Sequence, residues 1–329
     1  MAAEKYKQIA ETLKTRVLSG VYPDRFPPMT LLQREFRVSS RTMTKACAVL
    51  KREGVIAAAP TGTRIGPEYR LPAGARVILL FLNGPHELPL AKDVLFNTFR
   101  DAVHQDGFHL RLCDMADPDC EALIRKFAPA GAAFAYSGWT PEAGVIFRKH
   151  GIPQVALNWF SEEYDVACVD GDWEYILDQL VAQLVAHHYR RVGLQMNRKR
   201  SEATHCRYEK NRELWKKLVA RYGLVDYGDE WEDLMCDEPP EVIISFGEPV
   251  YRELREFYNR RGLPLHILNL NREIPEEREI CWRYTGFDYA AVARAGWQML
   301  HVLIRGEKPA ERRLLLKFPS RILFNSTPD

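Results

Sequence analysis

Residues 29–54 read MTLLQREFRVSSRTMTKACAVLKREG. Two short amphipathic helical patterns lie in this stretch, separated by a tight polar break at Val38, Ser39 and Ser40. In the first, Leu31, Leu32 and Phe36 share one face; in the second, Met43, Cys47 and Leu50 do, and Ala46 is small enough for close helix approach. The pattern predicts a helix-turn-helix. Ser39 or Ser40 caps the second helix, which offers Arg41, Thr42, Thr44 and Lys45 from its first turns while its apolar face stays inward. In such a unit those positions enter the major groove and meet base edges. Taken singly, each is also an ordinary solvated helix residue, so the expectation rests on their arrangement.

Working outward, residues 3–18 form a preceding helix with Tyr6, Ile9, Ala10, Leu13 and Val17 at helical spacing, closed by Ser19 and Gly20. Pro23, Pro27 and Pro28 force an extended connection. After Gly54, residues 55–58 read as a strand, residues 60–63 as a turn, and Arg64-Ile65 as the return strand. Three helices and a small hairpin make a winged helix-turn-helix over residues 1–68. Residues 1–70 hold 13 Lys and Arg against 6 Asp and Glu, a net +7, while the remainder carries −5. A basic front attached to a mildly acidic body predicts that the front meets a polyanion.

These residues resemble the DNA-binding domain of the GntR family of transcription regulators. The likeness is carried by the opening helix with Tyr6, Ile9 and Leu13, by Ser19-Gly20-Val21-Tyr22-Pro23, and by Val38-Ser39 after Phe36. It continues through Leu50, Glu53-Gly54 and the Gly62-Thr63 wing. Two departures stand out: Ser40 and Thr44 occupy positions where the family commonly has Arg, and the wing at Pro60-Thr61-Gly62 is short and lacks a basic tip. The resemblance implies double-stranded operator DNA as partner. Arg41, Thr42 and Lys45 would face bases, Tyr6, Lys7, Arg34 and Arg64 would meet phosphates, and Thr61 and Gly62 would bring the wing close to the duplex.

Residues 69–75 hold both Pro and Gly without periodicity and read as a short linker. Beyond it, residues 76–329 alternate. Strand runs at 77–82, 109–113, 132–136 and 154–157 are interleaved with helical stretches at 94–104, 121–127 and 141–149. The second half repeats this with helices at 173–187, 208–222 and 250–260 and strands at 191–196, 242–246 and 266–270. Such alternation predicts an α/β body of parallel sheets flanked by helices, in two lobes.

The body resembles the two-lobed, periplasmic-binding-protein-like effector domain of LacI/GalR regulators. The cues are Gly107-Phe108, Gly151-Ile152-Pro153, Val169-Asp170, residues 188–192 and the closing residues 321–327. Joined to a GntR-type front, it is similar to the arabinose-regulator branch. That resemblance implies a homodimer with a sugar or related small-molecule effector bound between the lobes, at the carboxyl ends of the strands. His86, Glu87, Trp139, Asn158, Trp159, Phe160, Arg207, Glu248 and Asn271 fall on the corresponding loops. By position Asn158, Arg207 and Glu248 match the family's hydroxyl-binding Asp, Arg and Asp, while Trp139, Trp159 and Phe160 offer a ring face or else simply pack a lobe edge.

Nucleotide, zinc-protease and serine-hydrolase motifs are missing from the sequence, so an enzyme is not expected. The seven cysteines are scattered without metal-ligand spacing, and Asp114, Asp117 and Asp119 lack the spacing of a calcium loop. No cofactor and no metal are expected. With neither a membrane span nor a signal-peptide core, a cytoplasmic location is expected. The competing reading is a DNA-bound regulator whose body only dimerises or binds a protein partner and senses no small molecule.

Overall fold

The computed structural model describes residues 2–22, 25–60, 62–82, 93–114, 119–136, 138–160, 163–195, 205–227, 231–245, 251–270 and 281–324. The N-terminal segment contains α1 (Ala2–Leu18), α2 (Met29–Phe36), α3 (Ser40–Arg52) and a hairpin of β1 (Ile56–Ala59) and β2 (Gly62–Ile65). The hairpin is antiparallel, with Ile56 opposite Ile65 and Ala59 opposite Gly62. Leu13, Leu32, Met43, Ala46, Leu50 and Ile65 are fully buried together, so the helical faces read from the sequence meet in one small core. Arg37, with φ 50°, ends α2 in the left-handed region and turns the chain into α3. Lys14 and Glu53 form a 2.8 Å ion pair that ties α1 to the end of α3.

Two compact units make up the whole chain: Met1–Val169 with Tyr289–Leu314, and Asp170–Asp288 with Leu315–Asp329. The first unit carries the N-terminal segment and a sheet built from β3 (Val77–Leu82), β4 (His109–Asp114), β5 (Gly131–Ala135), β6 (Gln154–Leu157), β7 (Ala167–Gly171) and β13 (Arg313–Leu316). Its order is β4-β3-β5-β6-β7-β13, and the pairings from β4 through β7 are parallel. Every side chain of β3 and β5 is buried, as expected of central parallel strands covered on both faces. The covering helices include α4 (Val94–Gln105), α5 (Cys120–Phe127), α6 (Pro141–Lys149) and α11 (Tyr289–Ile304). On one face Phe81 stacks on Phe134 at 4.7 Å, with Phe147 edge-on to both.

The second unit repeats the order as β9-β8-β10-β11-β12-β14. Its strands are β8 (Arg191–Gln195), β9 (Val225–Asp226), β10 (Val242–Ser245), β11 (His266–Asn269), β12 (Cys281–Thr285) and an antiparallel β14 (Arg321–Leu323). Its helices are α7 (Trp173–Ala186), α8 (His205–Tyr222), the single turn α9 (Trp231–Leu234) and α10 (Tyr251–Arg260). In each sheet the first strand lies inside the second and the order reverses there, the topology at which open α/β sheets hold ligands beyond the carboxyl ends of their strands.

Two findings depart from the sequence expectations. Segment 289–304, unassigned by periodicity, is α11. It is apolar around much of its girth and packs against α4 and β6. A Cβ on Gly296 would clash with the Leu157 side chain, so that glycine lets α11 lie directly on β6. The joining segment is also more firmly held than a free linker. Tyr69 packs against the N-terminal core, Leu71 against the core of the first sheet, and buried Arg111 of β4 donates to the Tyr69 carbonyl at 3.4 Å.

Candidate nucleic-acid interface and candidate effector site

Helix α3 begins with Ser39 at its N-cap, where the Ser39 hydroxyl accepts from the Thr42 amide at 3.3 Å. The Thr42 and Ser39 hydroxyls also lie 3.1 Å apart, so both are committed to the cap. Ser40, Arg41, Thr44 and Lys45 are exposed, opposite the buried Met43, Ala46, Cys47 and Leu50. Thr44 donates weakly to the Met29 sulfur at 3.7 Å, which links α3 to α2. The Lys45 ammonium lies 5.7 Å from the centre of the Tyr6 ring, bringing α1 and its exposed Lys7 beside the outer part of α3.

No acidic side chain occurs on α3, and the nearest carboxylates along the chain are paired, Glu35 with Arg16 at 2.6 Å and Glu53 with Lys14. Arg41 and Lys45 therefore present their charge undiluted. Arg34 is exposed on the last turn of α2. In β2, exposed Gly62 has φ +114° and Arg64 is half-buried, with its backbone bridged to Arg25. Thr61 lies outside the described residues. Arg25 and the exposed Arg37 are cations that helical spacing did not single out.

At the carboxyl edge of the first sheet, two neighbouring strands end on residues with positive φ. Tyr136 (φ 54°) follows β5 and Asn158 (φ 52°) follows β6. The Tyr136 amide donates to Leu157 O at 3.2 Å and the Asn158 amide to Val169 O at 2.8 Å, so the backbone holds both side chains in place. Asn158 is 8% exposed. Across this edge Asp93, 7% exposed, caps α4 by accepting from the Phe96 amide at 2.9 Å. The Tyr136 hydroxyl donates to the same carboxylate oxygen at 2.8 Å. Tyr289, at the start of α11, places its ring 6.4 Å from that of Tyr136. Asp93, Tyr136 and Tyr289 stand at this edge, and the sequence reading did not single them out.

The expected aromatic platform is corrected. Trp139 and Trp159 are each 3% exposed, 5.4 Å apart, and sit with half-buried Phe160 in the hydrophobic core of the first sheet. The Trp139 indole donates to Gln154 at 3.1 Å, and a Cβ on Gly144 would stand 2.5 Å from its ring. Trp139 is a packing residue, because α6 and a buried glutamine already lie against its ring; Trp159 is buried beside it, and half-buried Phe160 packs against the same core. His86, Glu87, Glu248 and Asn271 lie outside the described residues. Arg207 falls on the first turn of α8, and its side chain is likewise outside them.

In the second unit the corresponding edge carries Gln195 at the end of β8 and Ser245 at the end of β10. Both are buried, and the serine hydroxyl donates to the glutamine at 2.8 Å. Among the described residues no group of His, Cys, Asp and Glu could hold a metal ion. Burial pushes the Cys113 thiol up to about 12, which keeps it protonated and unreactive. No helix among the described residues is long and apolar enough to cross a membrane.

No family model and no curated protein matches this chain in sequence. Solved structures do match in shape. A regulatory protein of the LacI family from Chloroflexus aggregans is 14% identical with a TM-score of 0.57, over 73% of this chain and 95% of that one. The trehalose repressor from Escherichia coli is 12% identical with a TM-score of 0.56, over 76% of this chain and 100% of that one. A LacI-family regulator CCPA from Weissella paramesenteroides, solved with bound glucose, is 13% identical with a TM-score of 0.55, over 74% and 96%. At such identities the likeness establishes the fold: parallel sheets flanked by helices, as in LacI-family regulators and periplasmic-binding-protein-like domains. These three neighbours are transcription regulators, not enzymes.

Proposed function

We propose that this chain is a cytoplasmic transcription regulator, a repressor, that binds operator DNA as a homodimer and changes its grip when a sugar or related metabolite occupies its body. On this reading residues 1–68 are a winged helix of the GntR type and the body is a two-lobed effector domain. The observation that carries it is α3: a capped helix with a fully buried inner face and the cations Arg41 and Lys45 exposed outside, joined to a body with the LacI-regulator fold. Arg41 and Lys45 are the base readers, with Thr44 beside them. Tyr6, Lys7, Arg34 and Arg64 position the phosphates.

For the effector, Asn158, Arg207 and Glu248 supply hydrogen-bonding groups, with His86, Glu87 and Asn271 on neighbouring loops. The sugar class is supported by the glucose in the Weissella neighbour. Coupling needs a path from body to front, and Arg111 with Leu71 provides one by fastening the joining segment to the first lobe. Ligand then shifts DNA affinity by as much as it discriminates between two arrangements of the body.

The test is to select duplexes from a random library with the full chain and titrate the winners by fluorescence anisotropy, with and without a panel of monosaccharides and disaccharides. The reading expects salt-dependent, sequence-selective binding that at least one sugar weakens. Binding that is selective but indifferent to every sugar would favour a body that only dimerises or contacts a protein.

A further inference from the structure

We propose that the N-terminal segment is seated on the first lobe and turns with it as one body, with Phe127 and Arg111 the positioning residues that fix the separation of paired half-sites on DNA; this rests on the regulator reading above. Pro72 and Gly74 lie in the joining segment, and a loose tether there would let the DNA-binding helices swing. Two ties, far apart along the N-terminal segment, prevent it. The first is at the end of α1, where Gly20 takes φ +71° and a Cβ on it would stand 3.3 Å from the Phe127 ring and 3.7 Å from Arg111 Nε. The turn after α1 therefore rests on the last residue of α5 and on a side chain of β4, both elements of the first lobe.

The second tie follows the wing. Arg70 Nε donates to the Ile65 carbonyl of β2 at 2.9 Å, and Tyr69 packs on the N-terminal core. On the lobe side, both terminal nitrogens of Arg111 donate to the Tyr69 carbonyl at 3.4 Å, and Leu71 packs against the core of the first sheet. Arg111 thus meets both ties, Gly20 at one and Tyr69 at the other. A body held at one point can rotate about it; held at two, it keeps one orientation. Arg111 is 5% exposed, and its Nε has no hydrogen-bond partner among the described residues. A displaced seat would lose the Tyr69 bonds and leave a buried guanidinium with only the Leu110 carbonyl at 3.5 Å, which costs more than the lost bonds themselves contribute. With α3 fixed relative to the lobe, the distance between two recognition helices is set by how the lobes pair and not by tether length. Swinging units accept many half-site separations, whereas seated ones accept one.

The experiment uses the full chain and the duplex selected for it. Anisotropy titrations compare that duplex with versions whose half-sites are moved apart stepwise, by up to roughly five base pairs or half a helical turn. Wild type should lose about tenfold or more in affinity over the first steps. Arg111→Met combined with Phe127→Ala should lose no more than about threefold over the whole series. It should bind a single half-site as wild type does, which shows that its α3 is intact. In parallel, spin labels carried by unnatural amino acids at exposed Lys51 and Glu142, in chain diluted with unlabelled protein, report the distance between segment and lobe. One narrow distance is expected in wild type and a broad spread in the double variant. A broad spread in wild type, or the same strict spacing in the double variant, overturns this inference and leaves the regulator reading standing. If no duplex is bound selectively, the regulator reading falls and the spacing claim falls with it, whereas the width of the label distance still decides the seat.

Discussion

On α3 the exposed side chains Arg41, Thr44 and Lys45 stand within five residues of one another on a single helix. At the edge of the first sheet, Asp93 and Tyr136 are 43 residues apart in sequence and meet through one 2.8 Å hydrogen bond. On the proposed reading the helix keeps its two jobs on separate faces: Met43 and Leu50 are fully buried and hold the fold, while Arg41, Thr44 and Lys45 stand exposed outside. The sheet edge does not separate them. Asp93 caps α4 at the same edge that carries Asn158, so it cannot be altered without touching the fold. A surface on one regular element can change its chemistry cheaply, whereas a site assembled from strand ends and a helix cap is tied to the stability of its scaffold.

Substitutions on the two faces of α3 and at the sheet edge can sharpen or break that contrast. The largest effect is expected from the inner face of α3: Leu50→Ala should cost about 2–5 kcal/mol in urea unfolding of the N-terminal segment. It should abolish DNA binding while leaving sugar binding intact. Retained DNA binding would mean the two faces are not divided as described. Next, Asp93→Ala should lose about 1–3 kcal/mol, because it removes a helix cap and the 2.8 Å hydrogen bond from the Tyr136 hydroxyl. A neutral result in urea melts would separate Asp93 from the scaffold after all. Arg41→Ala should change stability by less than about 0.5 kcal/mol, yet cost about 1–3 kcal/mol of discrimination between cognate and altered base pairs. Equal losses on cognate and random duplex would remove Arg41 from base reading.

The smallest effect concerns the opposite, amino-terminal edges of the two sheets, where His109 opens β4 and His266 opens β11. Burial holds both imidazoles below their usual pKa, with Arg111 adding to the effect at His109. A depressed folded-state pKa means that the unfolded chain takes up the proton first. The stability these groups contribute is present above the unfolded value, about 6.5, and is lost as pH falls through the folded value. The slope is at most about 1.4 kcal/mol per pH unit for each proton. Urea midpoints should fall from pH 7.5 to pH 5.5, and His266→Gln should flatten the decline in the second unit. A midpoint that rises on acidification would contradict the assignment.

How far the sequence could be read follows the same division. Residues 77–82 and 154–157 coincide with β3 and β6 because apolar runs closed by Gly, Pro or charged residues leave little choice. The faces of α1, α2 and α3 were legible because a 3.6-residue period is local. Helix α11 was not, since buried Val292, Ala293, Gly296, Trp297, Met299 and Leu300 blur any single stripe. Strands β13 and β14 are short and half-exposed, which leaves almost no alternation to detect.

The aromatic residues after β5 and β6 misled for a related reason. Spacing placed Trp139 and Trp159 near a loop but carried no sign that Gln154 and Gly144 build a socket for the indole. Asp93 and Tyr136 escaped notice because their bond depends on register between distant segments. Asn158, expected from its place after a strand, does stand on that edge beside Tyr136.

The most direct test of the central claim is a fluorescence-anisotropy titration of the full chain. It compares a duplex selected from a random library with a scrambled duplex of equal length and composition, at about 0.15 M salt, where specific and non-specific binding separate by roughly a thousandfold or more. Our account predicts that preference, together with its reduction by a sugar that binds the body. Equal affinity for the two duplexes, or none for either, would contradict it.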